Sequence, residues 1–225
     1  MKIWRLTDPV DDRFARASRL GAWSEGTGLC RECGASSQER VKPLILEWER
    51  GSNAIGDFSW PGFGDNVAVT TRVREELAHR FRGFEFGPVE IESTRTSGQR
   101  QTDRSHDAEA QLCELWVTTN VGMDPERSSA WLVKRCGACG REEYMLEDVE
   151  REQTEWDADS KQLVRHRFRR RPGRGLYIGE RTLDGASIFH VREFPAWILC
   201  TDPVKQSIEM KGFTNVAFFE SGETF

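Results

Sequence analysis

Apolar residues recur at helical spacing in two separate parts of this 225-residue chain. In the first part, four apolar residues fall at every fourth position: Val69, Val73, Leu77 and Phe81. Residues spaced in this way line one side of a helix, so they predict a helix with one buried face. The alternating residues Phe84 and Phe86 that follow are typical of a strand.

The second part repeats this pattern further along the chain. Thr201 or Asp202 can cap a helix here, and Pro203 suits its first turn. Val204 and Ile208 then continue an equivalent apolar stripe. The strand after this helix is indicated by two alternating apolar residues: Val216 and Phe218.

These two units predict an α+β fold, organised as one two-lobed domain over residues 1–225. We expect two similar strand-helix-strand lobes at residues 41–92 and 176–225. Internal duplication and chance similarity both remain open as the origin of this resemblance. The polar segment 93–110 predicts a flexible linker. Two further strands are predicted between the lobes: residues 112–121 and 130–133.

Composition and charge limit the classes of partner. No apolar run approaches the ~20 residues that a membrane helix needs, and no apolar signal-peptide core follows Met1. We therefore expect a cytoplasmic protein without a membrane partner. The 32 basic and 37 acidic side chains give a net charge of -5. The chain thus lacks an overall basic footprint, which disfavours nucleic acid as its partner.

Six cysteines carry the strongest chemical signal, and four of them form two copies of one motif. The copies are Cys30-Arg31-Glu32-Cys33-Gly34 and Cys136-Gly137-Ala138-Cys139-Gly140. Each pair can grip one metal ion from a tight turn, and the following glycine lets the backbone curl back. Two such pairs complete the closed tetrahedral site of structural zinc, in a zinc-ribbon-like centre formed by segments 24–36 and 131–144. The predicted ligands of one structural Zn²⁺ are Cys30, Cys33, Cys136 and Cys139.

Three other interpretations of these cysteines remain open. A disulfide framework is disfavoured in a chain of this length without a secretory signal. A thioredoxin-like redox pair would place the trailing glycine inside a helix, where glycine costs about 1 kcal/mol. The pairs could also be unrelated, although the repeated glycine argues against this. A shared metal would join distant segments, because Cys30 and Cys136 lie 106 positions apart.

The remaining cysteines and the charges beside the motifs complete this picture. Cys113 and Cys200 each stand alone among apolar neighbours, so we expect both to be inert core residues. Cations near the motifs would offset the negative charge of four thiolates on one Zn²⁺. These cations are Arg31, Lys134, Arg135 and Arg141.

Charge is segregated after the second motif, with acids concentrated in residues 142–159 and arginines in residues 165–174. The arginines could bind phosphate, but the nearby carboxylates favour pairing within the chain. The acidic stretch is a candidate partner surface, and a merely solvated face is the alternative. Its proposed contact residues are Glu147, Asp148, Glu150 and Glu152.

The sequence contains no HExxH, GxSxG or phosphate-loop motif, so we expect a protein that is not an enzyme. Its paired CxxCG motifs, together with residues 113–117, 184–189 and 212–218, resemble the double-CxxCG motif family of bacterial immunity proteins. The resemblance runs over nearly the whole chain. It implies a non-enzymatic cytosolic protein that neutralises a cognate swarming-inhibition toxin, and it implies no catalytic residues. A zinc-ribbon nucleic-acid binder and a metal- or redox-sensing regulator are the alternatives.

Overall fold

A computed structural model describes residues 1–9, 11–20, 30–34, 43–49, 51–52, 54–62, 66–92, 112–159 and 161–225. The strands are β1 (Lys2–Thr7), β2 (Ala17–Arg19), β3 (Leu44–Trp48), β4 (Phe58–Ser59), β5 (Val67–Thr70), β6 (Phe84–Ile91), β7 (Leu112–Val117), β8 (Asn120–Val121), β9 (Ala130–Arg135), β10 (Glu142–Leu146), β11 (Arg151–Asp157), β12 (Gln162–Phe168), β13 (Leu176–Ile178), β14 (Ile188–Val191), β15 (Phe194–Thr201) and β16 (Ala217–Thr224). The helices are α1 (Thr71–Ala78), α2 (Glu180–Leu183) and α3 (Asp202–Met210). The protein is therefore α+β, as the sequence predicts. Among the described residues, no helix has both the length and the apolar content needed to span a bilayer.

Two six-stranded sheets share one arrangement of five strands. The first sheet has the order β2-β3-β6-β7-β5-β4, and the second has the order β13-β16-β1-β15-β14-β8. In the first sheet this arrangement begins with the parallel pair β3 and β6, and in the second with the parallel pair β13 and β16. All later neighbours are antiparallel, as far as β4 in the first sheet and β14 in the second. A helix links equivalent strands in both: α1 joins β5 to β6, and α3 joins β15 to β16.

Each sheet takes its central strand from outside the range expected for its lobe. In the first sheet, β7 lies between β5 and β6 and is antiparallel to both. In the second sheet, β1 lies between β15 and β16 and is antiparallel to both. The segments 41–92 and 176–225 therefore do not complete their sheets alone. The first needs β7, which follows the linker, and the second needs β1, which is distant in sequence.

The two sheets and the helices α1 and α3 bury apolar faces in one shared core. Val69 lies opposite Cys113 in the first sheet, and Cys200 lies opposite Trp4 at the matching position of the second. The apolar stripes of both helices join the same cluster; their members are Val73, Leu77, Val204 and Ile208, each at most 1% exposed. Burying each of these side chains contributes about 1.5–3 kcal/mol, which makes this core the main connection between the two sheets.

The contacts between the sheets follow the same internal repeat. The loop after α1 reaches β14, where the Arg82 carbonyl accepts a hydrogen bond from the Ile188 N–H at 3.1 Å. The loop after α3 reaches β4, where the Thr214 carbonyl accepts one from the Phe58 N–H at 3.2 Å. Each lobe thus supplies a backbone acceptor to the first strand of the other lobe's hairpin.

Two element boundaries differ from the sequence prediction. The helical stripe was expected to include Val69 and Phe81, but α1 covers only Thr71–Ala78, with Val69 in β5 and Phe81 beyond the helix. Val69 extends because it pairs with Phe58 and Cys113 across two neighbouring strands.

The prediction of a single strand over residues 112–121 is also wrong, because these residues form two strands that lie in different sheets. β7 belongs to the first sheet, whereas β8 pairs with β14 in the second. The chain crosses between the sheets at Thr118 and Thr119, whose N–H groups donate to the Gly83 carbonyl at 2.9 and 3.1 Å. The polar segment 93–110, and residues 24–29 and 35–36 around the first motif, lie outside the described residues.

Candidate metal centre

The four motif cysteines lie together although they come from distant parts of the chain. Their Sγ atoms all lie within 4.8 Å of one another. The Sγ atoms of Cys30 and Cys136 are 3.7 Å apart, and those of Cys33 and Cys139 are 3.5 Å apart. All four are free thiols. The cluster is therefore compatible with a metal site.

Both motifs fold into the same tight turn, which explains the spacing of their cysteines. The Gly34 N–H donates to the Cys30 carbonyl at 2.8 Å, and the Gly140 N–H donates to the Cys136 carbonyl at 3.0 Å. The two glycines have φ values of 68° and 73°, in the left-handed region that side chains disfavour. The trailing glycine of each motif thus has the conformational role that the sequence predicts for it.

Two of the Sγ–Sγ distances are close to those of a tetrahedral thiolate site. With a zinc–sulfur bond of about 2.3 Å, a regular tetrahedron places its sulfurs about 3.8 Å apart. The two measured Sγ–Sγ distances, 3.5 and 3.7 Å, approach this value. A disulfide would need about 2.05 Å between the sulfurs. The arrangement thus resembles a ligand cage more closely than a bonded pair.

The pKa values of two cysteines in the cluster are shifted in opposite directions, as expected for thiols that share a small space. Backbone N–H groups of Cys33 and Glu32 lower the pKa of Cys30 to about 6. The Arg141 N–H acts in the same direction on Cys139, but the neighbouring thiols of Cys33 and Cys136 outweigh it and raise the pKa of Cys139 to about 12. Crowded thiols resist full ionisation, and a bound divalent cation would displace the remaining protons.

The second motif sits at the end of the β9–β10 hairpin, which fixes its position. The Cys136 N–H donates to the Arg141 carbonyl at 2.8 Å, closing the turn between the two strands. Arg135 and Glu142 form an ion pair across the hairpin. At the other end, three side chains pack against a second core cluster: Ala130, Tyr144 and Leu146. The hairpin is thus held by the core at one end and carries its cysteines at the other.

An open cleft of about 670 Å³ lies beside the cysteines. Cys33 and Cys136 line it together with basic side chains, namely Lys134, Arg141 and Arg192. Lys134 and Arg141 are two of the cations expected from the sequence to offset thiolate charge. The sequence interpretation missed Glu32, whose carboxylate lies 3.7 Å from the Cys136 Sγ. Glu32 is inside the first motif, but only the folded structure brings it against the second.

The structure separates the four proposed partner contacts into two kinds. Glu147 and Glu152 are exposed. Glu150 is only 7% exposed, receives the Arg167 Nε at 2.7 Å and also accepts the Glu220 N–H at 2.7 Å. Asp148 accepts ion pairs from the guanidinium groups of Arg171 and Arg174 at 3.3 and 3.2 Å. Glu150 and Asp148 therefore stabilise the fold, which leaves Glu147 and Glu152 as accessible carboxylates.

The arginine-rich segment pairs with acids of the same chain. Strand β12 runs antiparallel to the acidic β11, with Arg167 opposite Glu152. Arg170 is almost buried and forms ion pairs with Glu220 and Glu223 at 2.7 and 3.0 Å. Together with the pairs of Arg171 and Arg174 to Asp148, these contacts reduce the charge available to a phosphate.

The two remaining cysteines are core residues, as expected. Cys113 is 8% exposed and donates to the Val69 carbonyl at 3.6 Å, whereas Cys200 is fully buried. Burial raises the pKa of Cys113 to about 11 and also raises the pKa of Cys200. Both thiols are therefore separate from the cysteine cluster in environment.

No protein-family model matches the chain, and no curated protein matches it either. The resemblance to double-CxxCG immunity proteins thus depends on the motifs themselves and stays a prediction.

Proposed function

We propose that this protein is a cytoplasmic immunity protein that binds and neutralises a cognate bacterial toxin, and that its four motif cysteines hold one structural Zn²⁺. The metal would form a zinc-ribbon-like centre that joins the first motif to the β9–β10 hairpin. The observation that carries the metal assignment is the convergence of four Sγ atoms within 4.8 Å from two distant segments. The toxin assignment is supported by the resemblance of the paired CxxCG motifs.

The two parts of the proposal are physically connected. A neutralising protein binds most tightly when its contact surface is already ordered, because ordering a surface during binding costs affinity. A metal shared by segments 106 positions apart would restrict both of them. When bound, Zn²⁺ would supply structural cross-linking and charge neutralisation rather than chemistry. The net charge of -5 would favour association with a basic partner.

The metal part is tested by elemental analysis of purified protein together with thermal unfolding. We expect one zinc per chain, and we expect chelation to lower the melting temperature by at least several degrees. Cys136→Ser should lose zinc and become insensitive to chelation. The control Cys113→Ala should keep the metal, because Cys113 lies in the core. Full-length protein without bound zinc, with the same stability before and after chelation, would refute the assignment.

The immunity part is tested in a bacterial host that expresses the polypeptide encoded by the reading frame next to this protein's own. We expect that polypeptide to stop growth and co-expression of this protein to restore it. A direct complex between the two purified proteins should account for protection. Growth arrest that persists despite abundant, folded immunity protein would contradict the proposal.

A further inference from the structure

The four thiols of the cysteine cluster differ in how well they are exposed. Cys139 is exposed, Cys30 and Cys33 are half-buried, and Cys136 is only 5% exposed. Of the two half-buried residues, Cys33 is the one that lines the open cleft beside the cluster. Oxidation of a cysteine depends on access to its sulfur, so a small oxidant reaches Cys139 and Cys33 first. The accessible side of the cluster thus contains one cysteine from each motif.

The two accessible cysteines also lie next to each other. Their Sγ atoms are 3.5 Å apart, whereas the Sγ atoms of Cys30 and Cys136 are 3.7 Å apart. The Cys136 thiol is further engaged by the Glu32 carboxylate, at 3.7 Å. Cys33 is therefore the thiol best placed to react with an oxidised Cys139.

The tight turns oppose a bond between the two cysteines of one motif. In each turn the glycine N–H donates to the carbonyl of the first cysteine, and the glycine has a positive φ. Drawing both sulfurs of one turn to the ~2.05 Å of a disulfide would deform this backbone. The second motif lies at the end of the β9–β10 hairpin, so a bond between the motifs needs a closing movement of only about 1.5 Å at that end.

A peroxide oxidises such a pair in two balanced steps. The Cys139 sulfur attacks one peroxide oxygen and the O–O bond breaks, which gives a sulfenic acid and one water. The Cys33 sulfur then attacks the sulfenic sulfur and the S–O bond breaks, which gives a disulfide and a second water. Two thiols thereby lose two protons and two electrons to hydrogen peroxide. Because the thiolate is the metal-binding form of cysteine, the bonded sulfurs no longer hold a metal ion.

We propose that Cys33 and Cys139 form an oxidation site, at which a peroxide replaces the shared metal ion by a disulfide between the two motifs. The bridge joins segments 106 positions apart, as the proposed Zn²⁺ would. The release of Zn²⁺ rests on the proposed function, whereas the choice of these two cysteines rests on their exposure and on the sulfur positions. The first motif and the hairpin thus stay connected when oxidation removes the metal.

The test treats the purified, zinc-loaded full chain with equimolar hydrogen peroxide. A chromophoric chelator measures the zinc that is released, and mass spectrometry of unreduced tryptic digests identifies the disulfides. Trypsin cleaves after Arg31 and so separates Cys30 from Cys33, while peptide fragmentation distinguishes Cys136 from Cys139. We expect release of the zinc and a Cys33–Cys139 bridge at least about 5-fold more abundant than any other cysteine pair.

Two matched variants, compared without metal, each remove one half-buried cysteine. Cys30→Ser keeps the accessible pair, so peroxide should still close the long loop and speed migration in non-reducing electrophoresis. Cys33→Ser should give at least about 5-fold less of this fast form, because Cys136 of the remaining pair is nearly buried. Circular dichroism checks that both variants fold. In wild type, the oxidised metal-free chain should melt several degrees above the reduced metal-free chain, since the bridge restricts the unfolded state.

The outcomes distinguish this inference from the proposed function. Bridges within the motifs as the main product, or release of zinc without any bridge, would overturn the oxidation site and leave the metal and immunity assignments standing. Equal amounts of the fast form in both variants would also overturn the choice of Cys33. If the purified chain holds no zinc, the exchange of metal for disulfide and the metal assignment are overturned together.

Discussion

Replacing Gly83 by alanine should destabilise the protein severely, because this residue lies where the two sheets meet. Its φ of +103° is strained for any side chain, and an added Cβ would stand 2.1 Å from the Ile188 carbonyl oxygen. The strain costs about 1–2 kcal/mol. Relieving the clash requires moving either the loop after α1 or the start of β14. Backbone hydrogen bonds from Thr118 and Thr119 to the Gly83 carbonyl would then weaken.

The expected loss follows from these contributions. Each of the two weakened hydrogen bonds contributes about 0.5–1.5 kcal/mol, so together with the strain Gly83→Ala should lower the free energy of unfolding by about 2–5 kcal/mol. Gly212→Ala is the matched control, because Gly212 has a φ of +61° but nothing within 4 Å of an added Cβ. It should lose only about 1–2 kcal/mol, the cost of backbone strain alone.

The assay is equilibrium urea unfolding of both variants, followed by tryptophan fluorescence with reductant and zinc present throughout. A difference of about 1–3 kcal/mol between the variants is the expected result, since it isolates the part of the loss that comes from the clash and the hydrogen bonds it weakens. Equal losses would refute the reasoning, because they would mean that the backbone at Gly83 and Ile188 moves apart without lowering the free energy of unfolding.

Two further predictions concern buried or half-buried titratable groups. The Ser207 hydroxyl and the Arg80 guanidinium lower the pKa of Glu76 from 4.5 to about 2; Glu76→Gln should therefore cost about 1–2 kcal/mol at pH 7. These contacts stabilise only the ionised carboxylate, so the cost of the substitution should shrink as the pH falls below about 4.5 and disappear near 2. Urea unfolding of both proteins across this pH range measures the cost. Cys113 and Cys200 should resist iodoacetamide at pH 8 while the motif cysteines react after chelation, as judged by mass spectrometry of digests. Labelling of the fully buried Cys200 at the rate of a motif cysteine, in protein still folded, would contradict this placement.

The local structure of the two cysteine motifs could be predicted from the sequence because it depends on neighbouring residues. Two cysteines separated by two residues need a tight turn, and Gly34 and Gly140 supply the positive φ that ends it. The apolar setting of Cys113 and Cys200 likewise indicated burial. Helices α1 and α3 were predicted for the same reason, since their apolar stripes have a period set by the helix itself, whereas the four-residue helix α2 is too short to show one and was not predicted.

Boundaries and contacts between distant residues were not predictable in this way. Val69 fits a helical stripe equally well as a strand, and only pairing with β4 and β7 makes it extended. Glu150 belongs to a run of acids that looks solvated in the sequence. It is buried because the backbone of Glu220, 70 positions away, and the side chain of Arg167 provide its hydrogen bonds.

The sequence by itself determined the four-cysteine motifs, the two helices α1 and α3 and the apolar faces that they bury, because each follows from residues within a few positions. The side-chain cap expected from Thr201 or Asp202 is absent, since the Asp202 carboxylate accepts hydrogen bonds from the Lys2 N–H and the Trp4 indole instead. Only the tertiary structure decided that β1 completes the second sheet and that two cysteine pairs 106 positions apart meet. Strands pair through backbone hydrogen bonds, which are nearly the same for every residue type, so the sequence of β1 does not indicate which strands it pairs with. The burial of the whole core selects that partner.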